Sequence, residues 1–225
     1  MAAKIDKREL NEPDKLQVLF LKMRMFVQKH RSRIYLGAGI FAAIVVFSGG
    51  FYMYRLSVEA NAGKMYIKVF ENAMKVGSPA GDNAAIKGYK ELIAQYPSSD
   101  AAVLAYYRLG NLYFNQKEID AATKAYEDFV QKAAPESDLL PLAYSGLGGC
   151  YEVKKNFTKA LEQYEKALKT AAASSFESMN FSDMGRIYEA MNNPAKAVEY
   201  YRKALAKTTD PLVTIYLKRK IATLG

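Results

Sequence analysis

Apolar residues follow three patterns along the chain, and each pattern predicts helices. Between Leu16 and Val27 they recur at spacings of three and four, as in an amphipathic helix. From Ile34 to Tyr54 there are 21 residues without a single Asp, Glu, Lys, Arg or His. After residue 55 the spacings of three and four return, in segments separated by short polar turns. The chain is therefore predicted to be all-α.

The charge-free segment Ile34–Tyr54 has the length of a membrane span. At about 1.5 Å per residue, a helix of this length covers roughly 30 Å, the hydrocarbon thickness of a bilayer. Tyr35 lies at one end, and Tyr52 and Tyr54 lie at the other, where interfacial aromatic side chains are common. We interpret the segment as a single transmembrane helix that contacts membrane lipid. Its small residues would also allow close approach of a second copy, so a homo-oligomer is possible.

A cleaved signal peptide is the alternative interpretation of this segment. Small residues at 60–62 (Ala-Asn-Ala) resemble a cleavage site. However, the apolar run is longer than the usual signal core of about 7–15 residues, and the basic segment before it is also long. The sequence therefore favours an uncleaved anchor.

The charge distribution predicts the orientation of the span. Residues 14–33 hold six Lys/Arg, whereas residues 55–74 hold three. Because positive charge favours the cytoplasmic side, we expect a cytoplasmic N-terminus in a bacterial inner membrane and a periplasmic domain. The predicted domains are a basic cytoplasmic segment with an amphipathic helix (1–33), the span (34–54) and a repeat domain (55–225). Residues 56–225 hold 22 Lys/Arg against 19 Asp/Glu, and this near-neutral balance argues against nucleic acid as a partner.

Three segments of the last domain share an internal spacing around a glycine. Gly110, Gly148 and Gly185 each follow a Leu or Met, with an aromatic residue four positions before and a tyrosine three positions after. Twelve residues beyond each glycine lies an alanine, and four further on lies a tyrosine. These positions are Ala122 with Tyr126, Ala160 with Tyr164, and Ala197 with Tyr201. The spacing predicts helix–loop–helix repeats in which the small residues let helix A approach helix B.

The same spacing locates the loops and the flanking elements. Loops between helix A and helix B are predicted at 115–119, 154–157 and 191–195. A degenerate fourth repeat is predicted upstream, with helix A over 57–75, a long loop over 77–83, and helix B around Tyr89. Residues 211–224 are predicted to form a capping helix. We expect its inward side chains to be Leu212, Ile215, Tyr216 and Ile221.

The repeated segments resemble the tetratricopeptide-repeat pattern W-x-x-L-G-x-x-Y…A-x-x-x-F, with an aromatic residue in place of the first tryptophan. The implied fold is an α-solenoid of three full repeats, a degenerate N-terminal one and a C-terminal capping helix, behind a single N-terminal transmembrane helix. The order of a basic segment, one span, divergent repeats and a closing LKRKIATLG helix is similar to YfgM-like ancillary subunits of the bacterial Sec translocon. That resemblance implies a role in protein export.

Catalytic residues are scarce in the sequence. His30 lies four residues before the apolar segment, and Cys150 lies within a repeat helix. One histidine and one cysteine do not form a Cys/His zinc site or a nucleophile–histidine pair in the repeat domain. We therefore predict no enzyme activity and no cofactor.

Protein binding is the remaining function, since the A helices of such a solenoid line its concave surface. Positions six and three residues before each glycine, and one and four after it, share one face of helix A. We expect this face to point away from the close contact between helix A and helix B. The candidate binding residues are Leu104, Tyr107, Asn111, Phe114, Ser145, Glu152, Met179, Ser182, Arg186 and Glu189.

The expected function is an accessory subunit of the Sec translocon or a periplasmic holding chaperone for exported proteins. Its partners would be translocon subunits, periplasmic chaperones or exported chains. The alternative is a structural scaffold or regulator in another cell-envelope assembly, such as cell-wall synthesis, pilus or outer-membrane assembly.

Overall fold

The computed structural model describes residues 15–76 and 79–225 of the chain. In these ranges the regular structure is helical, without a strand, which confirms the all-α prediction. The chain divides into two compact units, Met1–Ser57 and Val58–Gly225. The helices are α1 (Lys15–Val76), α2 (Pro79–Gln95), α3 (Asp100–Asn115), α4 (Ile119–Lys132), α5 (Leu140–Val153), α6 (Phe157–Ala167), α7 (Glu177–Ala190), α8 (Pro194–Leu205) and α9 (Pro211–Leu224), with a 3-10 turn at Ala173–Phe176 before α7.

In the first unit, α1 carries the amphipathic and the apolar segments. Its backbone leaves helical geometry at His30 (φ −112°, ψ 15°), whose ring lies 4.7 Å from that of Phe26. The most apolar window of 18 residues has a mean hydropathy of 2.0, and none of it is buried. The helix is thus long and apolar enough to cross a membrane, a property that signal sequences share.

The second unit consists of helical hairpins followed by α9. Residues 58–76 of α1 pair with α2, and the next hairpins are α3 with α4, α5 with α6, and α7 with α8. The loops inside the three full repeats lie where the sequence predicts them. The middle residue of each loop has a left-handed backbone, with φ of 63° at Lys117, 57° at Lys155 and 55° at Asn192.

Each repeat glycine lies against the tyrosine ring of its own helix B. A Cβ atom added to Gly110 would lie 2.6 Å from the Tyr126 ring, and one added to Gly148 would lie 2.7 Å from the Tyr164 ring. Gly185 has the same relation to Tyr201, at 2.7 Å. The predicted close approach of helix A and helix B is therefore confirmed, and the ring explains why a side chain does not fit at the glycine.

The long loop predicted at 77–83 is shorter than expected. Helix α2 begins at Pro79, so that residues 79–83 are helical, and residues 77–78 lie outside the described part. Proline suits the first turn of a helix because its missing N–H would have no partner there. Asp82 also lies in the first turn, where a negative charge is favourable.

The inward face of α9 differs from the prediction. Leu212, Ile215 and Tyr216 are 77%, 65% and 42% exposed, whereas Leu217 is fully buried. Ile221 packs against the last core cluster as predicted, together with Val213 and Leu224. Helix α9 has apolar residues on two faces, and helical periodicity alone does not identify the face that packs.

Candidate protein-binding surface

Adjacent A helices meet at the same two positions of the repeat. The residue four after the glycine of one repeat contacts the residue one after the glycine of the next. We call these the first, second and third A–A contacts, with α9 taking the place of helix A in the third. They are Phe114 with Gly149, Glu152 with Arg186, and Glu189 with Lys220.

The first A–A contact is apolar. The ring of the half-buried Phe114 lies 3.5 Å from the position that a Cβ atom on Gly149 would occupy. This is an ordinary van der Waals distance, so the glycine gives the ring a flat surface with room to spare.

The second A–A contact is ionic and partly buried. Arg186 donates from Nε and Nη2 to the two carboxylate oxygens of Glu152, at 2.8 and 2.7 Å. Its Nη1 lies 2.8 Å from Asp183 on the same helix. The hydrogen bond to Glu152 raises the pKa of Arg186, and burial raises the pKa of Asp183 to about 6. Two carboxylates therefore depend on one guanidinium.

The third A–A contact is ionic and has a single carboxylate. Lys220 Nζ lies 2.8 and 2.9 Å from the two oxygens of Glu189. The Tyr201 hydroxyl donates to Glu189 at 2.9 Å. The hydrogen bond from Lys220 lowers the pKa of Glu189. The glutamate thus joins helix α7 to α8 and α9.

Tyr107 lies inside the contact between helix A and helix B. Its ring centroid lies 5.5 Å from that of Phe129 and 6.1 Å from that of Tyr126, both on α4. Asn111 Oδ1 accepts a hydrogen bond of 2.6 Å from the Tyr126 hydroxyl. The expectation that this face points away from α4 is therefore wrong at Tyr107, because two large rings reach across the hairpin.

The remaining predicted residues occupy several environments. The Ser145 hydroxyl donates to Asn180 Oδ1 of the next repeat at 2.6 Å. Leu104 and Ser182 are half-buried, and Met179 is 39% exposed. Ligand binding by any of the ten predicted residues stays a prediction.

A cavity of about 480 Å³ lies between residues 58–76 of α1, helix α2 and helix α3. We call it the N-terminal cavity. Its lining combines apolar and polar side chains. The lining residues are Phe70, Ala73, Met74, Asp82, Ala85, Tyr89, Arg108, Asn111, Leu112 and Asn115.

Arg108 is the cationic group of the N-terminal cavity. Its Nε donates to the Tyr66 hydroxyl at 3.0 Å, and its guanidinium carbon lies 5.0 Å from the centroid of the Phe70 ring. Among the residues that the structure describes, no carboxylate lies within ion-pair distance of Arg108. The cavity thus combines an apolar wall with the positive charge of Arg108 and the negative charge of Asp82.

Of the ten binding residues predicted from the sequence, Asn111 is the one that lines this cavity. Phe70 and Met74 lie four positions apart within the predicted helix A of the degenerate repeat, a spacing that favours packing on one face. Met74 is in fact 70% exposed. A basic residue two positions before the first repeat glycine, at Arg108, is the signal that would have pointed to this site.

Cys150 and the groups that could hold a metal ion were the remaining candidates for chemistry in the described residues. Cys150 is fully buried, and burial raises the pKa of its thiol, which suppresses the nucleophilic thiolate. In residues 15–76 and 79–225 there is no group of three or more His, Cys, Asp or Glu residues that could hold a metal ion.

Comparison with known proteins agrees with this architecture. The tetratricopeptide repeat-like domain family matches residues 24–225. A crystal structure of the MamA protein has a TM-score of 0.56 at 19% identity, over 72% of this chain and 81% of that one. The pilF protein of Pseudomonas aeruginosa has a TM-score of 0.57 at 18% identity, over 73% of this chain and 69% of that one. No curated protein sequence matches the chain. These likenesses in structure show the solenoid fold, and the match over residues 24–225 shows that the chain belongs to the tetratricopeptide repeat-like domain family.

Proposed function

We propose that this protein is anchored in a membrane by residues 34–54 and binds other proteins through its repeat unit at the N-terminal cavity. Tetratricopeptide repeats are protein-interaction modules, and the cavity is the feature that carries the proposal. Phe70 and Met74 provide an apolar wall, and Arg108 provides a cation beside it. Binding sites commonly combine such a wall with a few polar groups that orient the ligand.

Asn111 and Asn115 extend the polar side of the cavity. The Asn111 carbonyl oxygen already accepts a hydrogen bond from Tyr126, so its amide group is available for a partner's backbone carbonyl. A bound segment would insert an apolar side chain next to Phe70 and direct a carboxylate or a carbonyl towards Arg108. The proposed ligand is thus a short peptide segment of a partner protein.

Packing around residues 59–62 supports an uncleaved anchor. Ala62 is fully buried within α1, and Glu59 accepts a hydrogen bond of 3.1 Å from the backbone N–H of Asp100. Cleavage after Ala62 would remove both contacts from the first hairpin. A signal peptidase site is expected in an accessible, extended segment, which this helix does not provide.

The preferred role is an accessory subunit of the export machinery or a periplasmic holding chaperone. The six-to-three excess of Lys/Arg before the span supports a periplasmic repeat unit. The alternative is a scaffold or regulator of another envelope assembly, because repeat proteins of this family serve many complexes.

Topology provides the first test. A reporter active only in the periplasm, fused after Gly225, should be active. Protease added to spheroplasts should degrade the repeat unit. Protection of the repeat unit would contradict both the localisation and the export role.

Partner identification provides the second test. The full chain would be extracted in mild detergent, and co-purifying proteins would be compared between wild type, Met74→Glu and Met191→Glu. Met191 is the matched control, since it is 45% exposed and lies in the loop between α7 and α8. Met74→Glu should lose the partner and Met191→Glu should keep it.

The identity of the partner then separates the roles. Translocon subunits or many exported chains would support the preferred role, and one stoichiometric subunit of another assembly would support the alternative. Equal recovery with both variants would contradict the N-terminal cavity as the binding site.

A further inference from the structure

Helix α9 exposes an apolar face at the C-terminal end of the second unit. Leu212 is 77% exposed, Ile215 is 65% exposed and Tyr216 is 42% exposed. These residues and Arg219 follow helical spacings of three and four, so they form one continuous stripe. We call it the α9 face.

The A–A contacts establish how α9 corresponds to the A helices. Lys220 bonds to Glu189 as Arg186 bonds to Glu152. Lys220 therefore takes the position one after the glycine, and Arg219 takes the position of the glycine itself. Leu217 then lies two residues before the glycine position. The equivalent residue of α5 is Gly146, and a Cβ atom added to it would lie 2.5 Å from the Tyr126 ring of the preceding helix B.

The preceding hairpin shows what normally covers the equivalent positions. On α7, the Ser178 hydroxyl bonds to the Ala204 carbonyl at 3.0 Å, and the Tyr188 ring stacks on Tyr200 at 5.1 Å. Gly185 lies against Tyr201. Helix α8 thus covers the positions of α7 that correspond to Leu212, Arg219 and Ala222 of α9.

From this correspondence we infer that the α9 face is a second docking site, which takes an amphipathic helix of a partner protein carrying carboxylates. The partner helix would lie on α9 as helix B lies on helix A. Its apolar side chains would cover Leu212 and Ile215. Because Arg219 replaces the repeat glycine, a carboxylate would occupy the place that a tyrosine ring takes in the repeats.

The charge of the C-terminal region favours an acidic partner. Residues 194–225 hold seven Lys/Arg and two Asp/Glu, whereas residues 56–193 hold 15 and 17. In the described part of the chain, no carboxylate lies within ion-pair distance of Lys218 or Arg219. Pairing with a second copy through the same face would bring these cations together, which disfavours it.

The probe for this inference is a pair of synthetic helical peptides based on residues 194–207. In the acidic peptide Glu replaces Tyr201, so that a carboxylate takes the place of the tyrosine ring next to Arg219. In the basic peptide Lys replaces Tyr201, and the two peptides are otherwise identical. Binding of each labelled peptide to the full chain in detergent is measured by fluorescence anisotropy.

The acidic peptide should bind about tenfold more tightly than the basic one, the effect of a single charge-assisted contact. Ile215→Glu in the protein should abolish binding, and Arg219→Glu should reverse the preference between the peptides. Val153→Glu is the matched control, because Val153 is an exposed apolar residue at the end of α5, and it should bind as wild type does.

Several outcomes would overturn the inference. The first is that the two peptides bind equally. The second is that an Ile215→Glu variant with a normal melting curve binds the peptide as wild type does. The third is that sedimentation shows a dimer of the protein, which the Ile215→Glu substitution dissociates. If the Ile215→Glu variant does not fold, the inference is tested by whether Arg219→Glu reverses the preference between the two peptides. Met74→Glu should leave peptide binding unchanged, so failure of the N-terminal cavity proposal and failure of this one are distinguishable.

Discussion

The first and second A–A contacts occupy the same place in successive repeats but use opposite chemistry. In the first, the Phe114 ring lies on the bare backbone of Gly149. In the second, Glu152 and Arg186 form a bidentate ion pair beside Asp183. An apolar contact tolerates small shifts and is insensitive to pH, whereas an ion pair with an extra buried carboxylate depends on geometry and protonation. Stacking of the repeats thus requires that side chains fill the space between adjacent A helices. Either an apolar ring or an ion pair can fill it.

The comparison also shows where binding capacity remains. The charged side chains of the second and third A–A contacts are already paired within the solenoid. The guanidinium of Arg108, by contrast, has no carboxylate partner among the residues that the structure describes. Five predictions test this contrast, in order of decreasing effect.

The largest effect is expected from a side chain at a repeat glycine next to the second A–A contact. Gly148→Leu should lower the free energy of unfolding by about 3 kcal/mol, because the buried Tyr164 ring leaves no room for it. The neighbouring Gly149→Ala should change it little or raise it by about 0.5 kcal/mol, since Phe114 lies at contact distance and alanine favours helix. Urea unfolding of the full chain in detergent, followed by circular dichroism, measures both. Equal effects of the two substitutions would contradict the assignment of the glycines.

Removal of the cation from the second A–A contact should have the next largest effect on the free energy of unfolding. Arg186→Met leaves Glu152 and Asp183 facing each other at 23% and 19% side-chain exposure. The expected loss is about 2 kcal/mol, less than for a fully buried pair because water screens part of it. Lys203→Met removes an exposed pair with Glu199 and should cost less than about 0.5 kcal/mol. Comparable losses in the two variants would mean that the second A–A contact is solvated.

The second A–A contact should also respond to pH in an unusual direction. The pKa of Asp183 is raised by burial to about 6 in the folded chain, from 3.8 in the unfolded one. The folded state therefore binds the proton more tightly, and the stability contributed by this group increases as pH falls from 6 towards 4. Asp183→Asn should remove up to about 2 kcal/mol of this pH dependence between pH 4 and 7.5.

Glu189 in the third A–A contact should respond in the opposite direction. Its pKa is lowered by the hydrogen bond from Lys220, so the stability it contributes is present above its unfolded pKa and lost as pH falls. Urea titrations at several pH values, with Asp183→Asn and Glu189→Gln, distinguish the two groups. A parallel loss with acid for both would contradict the burial of Asp183.

The smallest effect should come from the third A–A contact itself. Lys220→Met removes an ion pair whose side chains are 30% and 32% exposed, and the Tyr201 hydroxyl still bonds to Glu189. We expect a loss of about 0.5–1 kcal/mol that shrinks further in high salt. A salt-independent loss larger than that of Arg186→Met would reverse the ranking of the two ionic contacts.

The sequence alone predicted the three full hairpins, whereas it placed a loop over residues 79–83, which are helical. Helix A and helix B are joined by three-residue loops, and Gly148 and Tyr164 lie only 16 positions apart, so a local pattern records their contact. The apolar segment 34–54 was recognisable for the same reason, since hydropathy depends on composition over a short window.

Only the tertiary structure decided which surfaces are occupied. Glu152 meets Arg186 across 34 positions, and Glu189 meets Lys220 across 31. The repeat spacing gives these residues equivalent positions in neighbouring repeats, but it does not show that their side chains touch. Tyr107 was assigned to an open face although it packs on Phe129, because a long ring reaches beyond the face on which its Cα lies. Helix α9 has two apolar stripes, and the one that contains Leu217 faces inward. In this orientation Lys220 bonds to Glu189. Contacts between neighbouring repeats depend on how hairpins stack, and that is a property of the folded chain rather than of any one segment.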